Sequence, residues 1–174
     1  MHTVLGSEGA SQPELWHPVV RGVYEYWLSI CPASGGLPGR QHVDPAAMSR
    51  LLPHVFLIDV ERAPLRFRYR LVGTAYIELM GRDLTGCYLD EVHPTFDGEV
   101  REHYRAVAEQ RQPVYRRGQV MFAVEARRFL GMERIITPLA RDGATVDMVL
   151  GGIVYIPVVP ETLSRSALPR RPLR

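Results

Sequence analysis

Lysine and asparagine are both absent from this 174-residue chain, so all 21 of its basic residues are arginine. GC-rich codon usage is the simplest source of that bias. Without lysine there is no Schiff base and no phosphate-binding lysine of a Walker motif. Without asparagine there is no acceptor for an N-linked glycan. Cysteine is scarce too. Cys31 and Cys87 stand far apart with no CxxC, which excludes a disulfide framework. No apolar run reaches the roughly 20 residues of a membrane span. The longest, Met148 to Val159, is interrupted by Pro157. Residues 1–12 are polar and Gly/Ser-rich, without the basic start and apolar core of a signal peptide, and are expected to be disordered. The balance of 21 basic against 19 acidic residues leaves a net charge of +2, too little to draw the chain to nucleic acid or an anionic membrane. A cytoplasmic protein with no nucleic-acid or membrane partner is expected.

Catalytic signatures are missing as well. There is no GxSxG, GxGxxG or GxxxxGK[ST], no HxH or HExxH, and no Cys/His spacing suited to zinc. The Asp90, Glu91 and His93 group reads as a solvated loop rather than an acid–base set. No metal site and no enzymatic activity are expected.

What is present is a regular change of period along the chain. Trp16, Val20, Val23, Trp27 and Ile30 recur at spacings of four and three, which predicts an amphipathic helix over residues 13–31. A Gly/Pro-rich linker follows. Asp44 and Pro45 open a short helix that Pro53 closes. The period then becomes two. Phe56, Ile58 and Val60 alternate in one strand, and Phe67, Tyr69 and Leu71 alternate with Arg66, Arg68 and Arg70 in the next. Thr74 to Met80 predicts a short helix ended by Gly81, and Tyr88 to Val92 another turn. A longer helix is predicted from near Thr95, with Val100, Tyr104 and Val107 as its stripe. Three strands finish the domain. The first holds Val114, Val120, Phe122 and Val124, the second spans about Arg128 to Leu139, and the third spans about Thr145 to Ile156. Asp142-Gly143 forms the hairpin turn between the last two. Residues 161–174 carry four arginines with proline and serine and are expected to be disordered.

The stretches "DPAAMSRLLPHVFLIDV", "FRYRLVGTAYIELMGRDLTG" and "ITPLARDGATVDMVLGGIVY" resemble a bacterial family of small stand-alone PAS-like proteins, best represented in alphaproteobacteria. The resemblance covers roughly Trp16 to Pro157. It implies an α+β fold: a PAS domain over residues 32–160, with a five-stranded antiparallel sheet, helices on one face and an N-terminal flanking helix. It also implies a sensor or signalling module that acts through protein contacts. No kinase or cyclase module is expected after the last strand, which lies near the end of the sequence.

Site expectations follow from that fold. Tyr69, Tyr76, Tyr104, Phe122 and Ile136 either line a ligand cavity or fill the core, and Arg134 could bind a carboxylate if it points inward. Some haem-binding PAS domains carry the iron ligand on the helix that holds His103. A lone His beside Glu99 and Glu102 reads better as a surface residue. Light-sensing flavin domains place a reactive cysteine near the position of Cys87, but "TGCYLDEV" departs from their motif. No haem, flavin or other cofactor is expected. Arg66, Arg68, Arg70, Arg116, Arg117, Arg127 and Arg128 read as solvated surface. Trp16, Val20, Val23, Trp27 and Ile30 form either a homodimer seam or a cap on the chain's own sheet, and the resemblance favours the dimer. A small-molecule ligand and a signalling partner are the contacts to look for. A purely structural dimerisation or adaptor domain and an unrecognised enzyme are the other readings.

Overall fold

Pro18 decides where the first helix begins. The computed structural model describes residues 3–92, 98–119 and 130–157, and in it the helix expected over residues 13–31 is divided. Pro13–Leu15 makes a 3-10 turn, and helix α1 runs from Pro18 to Ser29. A proline disfavours helical geometry in the residue before it and lacks the N–H of an interior helical bond. His17 accordingly has ψ 135° and caps α1, its Nδ1 accepting from the Val19 N–H at 3.2 Å.

The segment before α1 is held in place rather than loose. Strand β1 (Leu5–Gly6) pairs in parallel with β4 (Val114–Gln119). The Leu5 N–H donates to the Pro113 carbonyl at 2.9 Å, and the Arg117 N–H donates to Ser7 Oγ at 2.9 Å. Trp16 ties the segment down again, its Nε1 donating to the Gly9 carbonyl at 2.8 Å. Gly6, at φ 131°, lies so close to the Tyr115 carbonyl that any Cβ there would collide with it.

The remaining elements follow the predicted order. Strands β2 (Val55–Arg62) and β3 (Leu65–Val72) form a hairpin across a cis Ala63–Pro64 bond. Helices α2 (Thr74–Met80), α3 (Leu89–Val92) and α4 (Glu99–Gln110) come next, and α2 ends at Gly81 with φ 73°. Strands β5 (Leu130–Leu139) and β6 (Met148–Pro157) close the domain. Asp142 Oδ1 accepts from the N–H groups of Ala144 and Thr145, and Gly143 supplies φ 76°, as the predicted turn between β5 and β6 requires. Asp44 to Pro53 forms 3-10 turns at Ala46–Met48 and Leu52–His54 rather than one helix. The expected starts of α4 near Thr95 and of β5 near Arg128, and the strand positions Val120, Phe122 and Val124, lie outside the described residues.

The sheet order is β1-β4-β5-β6-β2-β3. The expectation of a purely antiparallel five-stranded sheet is therefore wrong: there are six strands, and β1–β4 is a parallel pair. The physical reason lies at the edge. Without β1, strand β4 would present an unpaired row of N–H and C=O groups.

The flanking helix α1 lies on the sheet face opposite the aromatic cluster. Two adjacent glycines show this. A Cβ on Gly151 would run into the Phe56 ring, and one on Gly152 would run into Val23 of α1 at 2.7 Å. Successive residues of a strand point to opposite faces. So α1, seated on β5 and β6, and the aromatic cluster around Phe56 occupy opposite sides of the sheet.

Candidate functional site

Strand alternation assembles the cluster on the face away from α1. Phe56 from β2, Phe67 and Tyr69 from β3, and Arg134 and Ile136 from β5 project toward Tyr76 of α2 and Tyr104 of α4, all of them buried. The Tyr69 and Tyr76 hydroxyls are 2.9 Å apart. Phe56 meets Tyr76 at 6.1 Å between centroids, Tyr76 meets Tyr155 at 6.1 Å, and Phe67 meets Tyr104 at 5.3 Å. Burial raises the pKa values of Tyr69, Tyr76, Tyr104 and Tyr155 above that of a free phenol, so all four are neutral hydrogen-bonding groups at pH 7.

Charge enters this cluster from one side. Arg116 on β4 is 6% exposed and holds Glu99 of α4, with Nε to Oε1 at 3.2 Å. That pairing keeps the Glu99 carboxyl below its ordinary range. His103, one turn along α4, lies 3.7 Å from Glu99 through Nε2, and its Nδ1 is 3.3 Å from Arg134 Nη2. A guanidinium can only donate, so Nδ1 accepts and Nε2 carries the proton that faces Glu99. Burial first, then the Arg134 charge, push His103 down to about 4. It is neutral at pH 7. Arg134 itself is 5% exposed, with Cζ 5.1 Å from the Tyr104 ring centroid.

Of the predicted pocket residues, Tyr69, Tyr76, Tyr104, Arg134 and Ile136 come together on this face, while Phe122 lies outside the described residues. Tyr155 belongs with them and was not singled out, and His103 and Arg116, expected at the solvated surface, are instead drawn inward beside Glu99, with Arg116 buried. Period two did carry a signal for Tyr155, since it falls on the Gly151–Ile153 side of β6.

The predicted interface residues lie elsewhere. Trp16, Val20, Val23 and Trp27 are buried against the chain's own sheet, and Ile30 is half-buried. Trp27 Nε1 donates to the Pro138 carbonyl at 2.9 Å, and the Trp16 ring stacks on Tyr115 at 4.3 Å. Below them sits a buried carboxylate, Glu133, which accepts from the His17 N–H at the start of α1 and faces Arg117 at 3.9 Å.

The arginine row of β3 is neutralised locally. Arg66 pairs with Asp90 at 3.0 Å and Glu91 at 3.1 Å, and Arg68 pairs with Asp59 and Glu61 at 3.3 Å each. Arg70 approaches Asp59 at 3.8 Å. Arg127 and Arg128 lie outside the described residues. Burial raises the Cys31 thiol to about 11, which leaves it unreactive. Among the described residues no group of His, Cys, Asp and Glu is placed to hold a metal ion, and no helix is long and apolar enough to cross a membrane. An apolar groove of about 430 Å³ lies on the α1 side, lined in part by Met48, Leu52, Leu57, Leu71 and Leu150.

A sheet in this order, with small helices closing an aromatic cluster over one face, defines a PAS domain, a class of non-catalytic signalling modules. The PAS-domain family profile matches residues 15–154, and the chain belongs to that family. Among solved structures it is similar to the PAS domain of Bordetella pertussis BvgS, at 18% identity and a TM-score of 0.46 over 68% of this chain and 88% of that one. It is also similar to a light-oxygen-voltage domain studied with a flavin analogue, at 13% identity and a TM-score of 0.48 over 64% of this chain and 82% of that one. No curated protein matches the chain.

Proposed function

We propose that this PAS domain is a cytoplasmic sensor. A small molecule held at the tyrosine cluster is read out through protein contacts, within a homodimer and with a signalling partner. One observation carries the reading. The cluster and α1 are seated on opposite faces of the same two strands, β5 and β6, back to back at Gly151 and Gly152. A displacement on the ligand side reaches the flanking helix through one layer of backbone. The apolar seam of α1 is used inside the protomer. The homodimer therefore draws on what remains exposed around that helix, Leu15 and Leu28, together with the half-buried Ile30.

A second reading, a purely structural dimerisation or adaptor domain, is favoured by the hydroxyl-bonded Tyr69–Tyr76 pair, which fills the centre of the cluster. Native mass spectrometry of gently purified protein, with a thermal-shift screen of small metabolites, separates the two. The expected result is a dimer that retains a small molecule, or that gains stability from at least one compound. A bare dimer that responds to no compound leaves the adaptor reading, and a bare, unresponsive monomer removes both.

A further inference from the structure

We infer that the ligand site of this domain is built for an anion, a monocarboxylate with an apolar body, and that Arg134 is the residue that binds it. The inference rests on the sensor reading and names the chemistry of the same site.

The first observation is an uncompensated cation. Arg134 is 95% buried, yet it makes no ion pair with any carboxylate among the described residues, and its Nε has no hydrogen-bond partner. The charges around it are those of Arg116, Glu99 and His103. Glu99 is taken by Arg116, and His103 is neutral at pH 7. Among the described residues, two guanidinium groups thus stand beside one carboxylate in a place shielded from water, one positive charge more than the described acids balance. A buried arginine normally has a carboxylate or phosphate against its fork.

The second observation is independent of the first. The Tyr155 hydroxyl is also buried and makes no hydrogen bond of ordinary geometry, although it lies near Tyr76. It belongs to β6, so two strands each bring an unsatisfied donor to the same face. Buried donors without acceptors are rare in folded proteins and call for one.

The third observation is room. The pairing rows place Gly118, Met132 and Tyr155 side by side, next to the row of Arg116, Arg134 and Ile153. On this face Gly151 is filled by the Phe56 ring. At Gly118 the nearest atom of the described residues to an added Cβ is Arg116 Nη2, at 3.9 Å. Gly118 is only half-buried, and among the described residues this end of the face is open. A carboxylate entering there meets Arg134 Nε and the Tyr155 hydroxyl, and its apolar body lies along Met132 and the Tyr155 ring. A dianion fits worse, because the described groups leave only one positive charge in excess. A phosphate ester is disfavoured for the same reason.

The test uses the full chain and matched probes: acetate, benzoate and hydrocinnamate against acetamide, benzamide and hydrocinnamamide, by isothermal titration calorimetry. At least one acid is expected to bind about tenfold or more tighter than its amide, as a charge-assisted fork predicts. Arg134→Gln should remove that preference and leave amide binding unchanged. Should Arg134→Gln fail to fold, Tyr155→Phe decides, since the hydroxyl it deletes makes no hydrogen bond of ordinary geometry in the fold. It should fold as the parent does and bind the acid several-fold more weakly, an effect of about one hydrogen bond. Acids and amides binding equally, or acid binding unchanged in both variants, would overturn the anion inference while the sensor reading stands. If no probe binds and the metabolite screen is also silent, the two readings fall together.

Discussion

The two faces of this sheet are built to different rules. On the α1 face the contacts are apolar and closed: Val20, Val23 and Trp27 are fully buried, and the Trp27 indole N–H has its partner in the Pro138 carbonyl. The buried charge there, Glu133, is satisfied by the first turn of α1 and by Arg117. On the other face four tyrosines, a histidine and two arginines crowd together, and two of their donors lack acceptors. A face that only had to be buried would need none of those polar groups, because apolar residues of similar size fill a core at lower cost. The α1 face stabilises the domain, and the tyrosine face is the one proposed here as the site.

The contrast can be broken most sharply from the α1 side. Trp27→Ala should cost about 3–5 kcal/mol, the range for emptying a buried aromatic position. Urea denaturation followed by circular dichroism measures it. A loss below 1 kcal/mol would mean that α1 is not part of the core. For the same reason Val23→Glu and Trp27→Glu should unfold the domain rather than separate a dimer, since each buries a carboxylate with no partner.

Glu133→Ala comes next. It leaves the His17 N–H without its acceptor and Arg117 without its counter-ion, and should cost about 1–3 kcal/mol in the same assay. A neutral result would show that the start of α1 is held by its apolar side alone.

The smallest effect is on the tyrosine face and depends on pH. His103 takes up its proton near 4 in the folded chain, against an ordinary value of 6.5. Between those values the unfolded chain binds more protons, so unfolding is favoured as pH falls. The stability tied to this residue is complete above about pH 6.5 and is lost as pH drops toward 4. Glu99 opposes the shift, and Arg134 and Arg116 reinforce it. Denaturation midpoints at pH 7 and pH 5 should move less in His103→Gln than in the parent. Equal movement would remove His103 as the source.

Period and punctuation made most of the fold legible. Alternation located β2 and β3, and Asp142-Gly143 located the β5–β6 turn. Three features stayed hidden, each for a physical reason. A two-residue strand such as β1 has no period to detect, and its pairing rests on backbone groups that every residue carries. Pro18 was absorbed into a helical pattern because the apolar spacing continues across it, although the residue before a proline resists helix. The role of α1 could not be read because an apolar stripe does not say which surface it covers. The site was legible in part. Period two brought Arg134, Ile136 and Tyr69 to one face, but whether Arg134 has an acidic neighbour depends on α4 and β4, distant in sequence.

The Gly151–Gly152 pair has a consequence for thickness. Layers packed on a sheet normally stand about 10 Å from it, held off by the side chains of both surfaces. At these two positions the strand contributes no side chain to either surface, and Phe56 and Val23 press on opposite sides of its bare main chain. Here only bare main chain separates the aromatic cluster from the flanking helix. Even a single methyl group added to either glycine would move one layer away from the other.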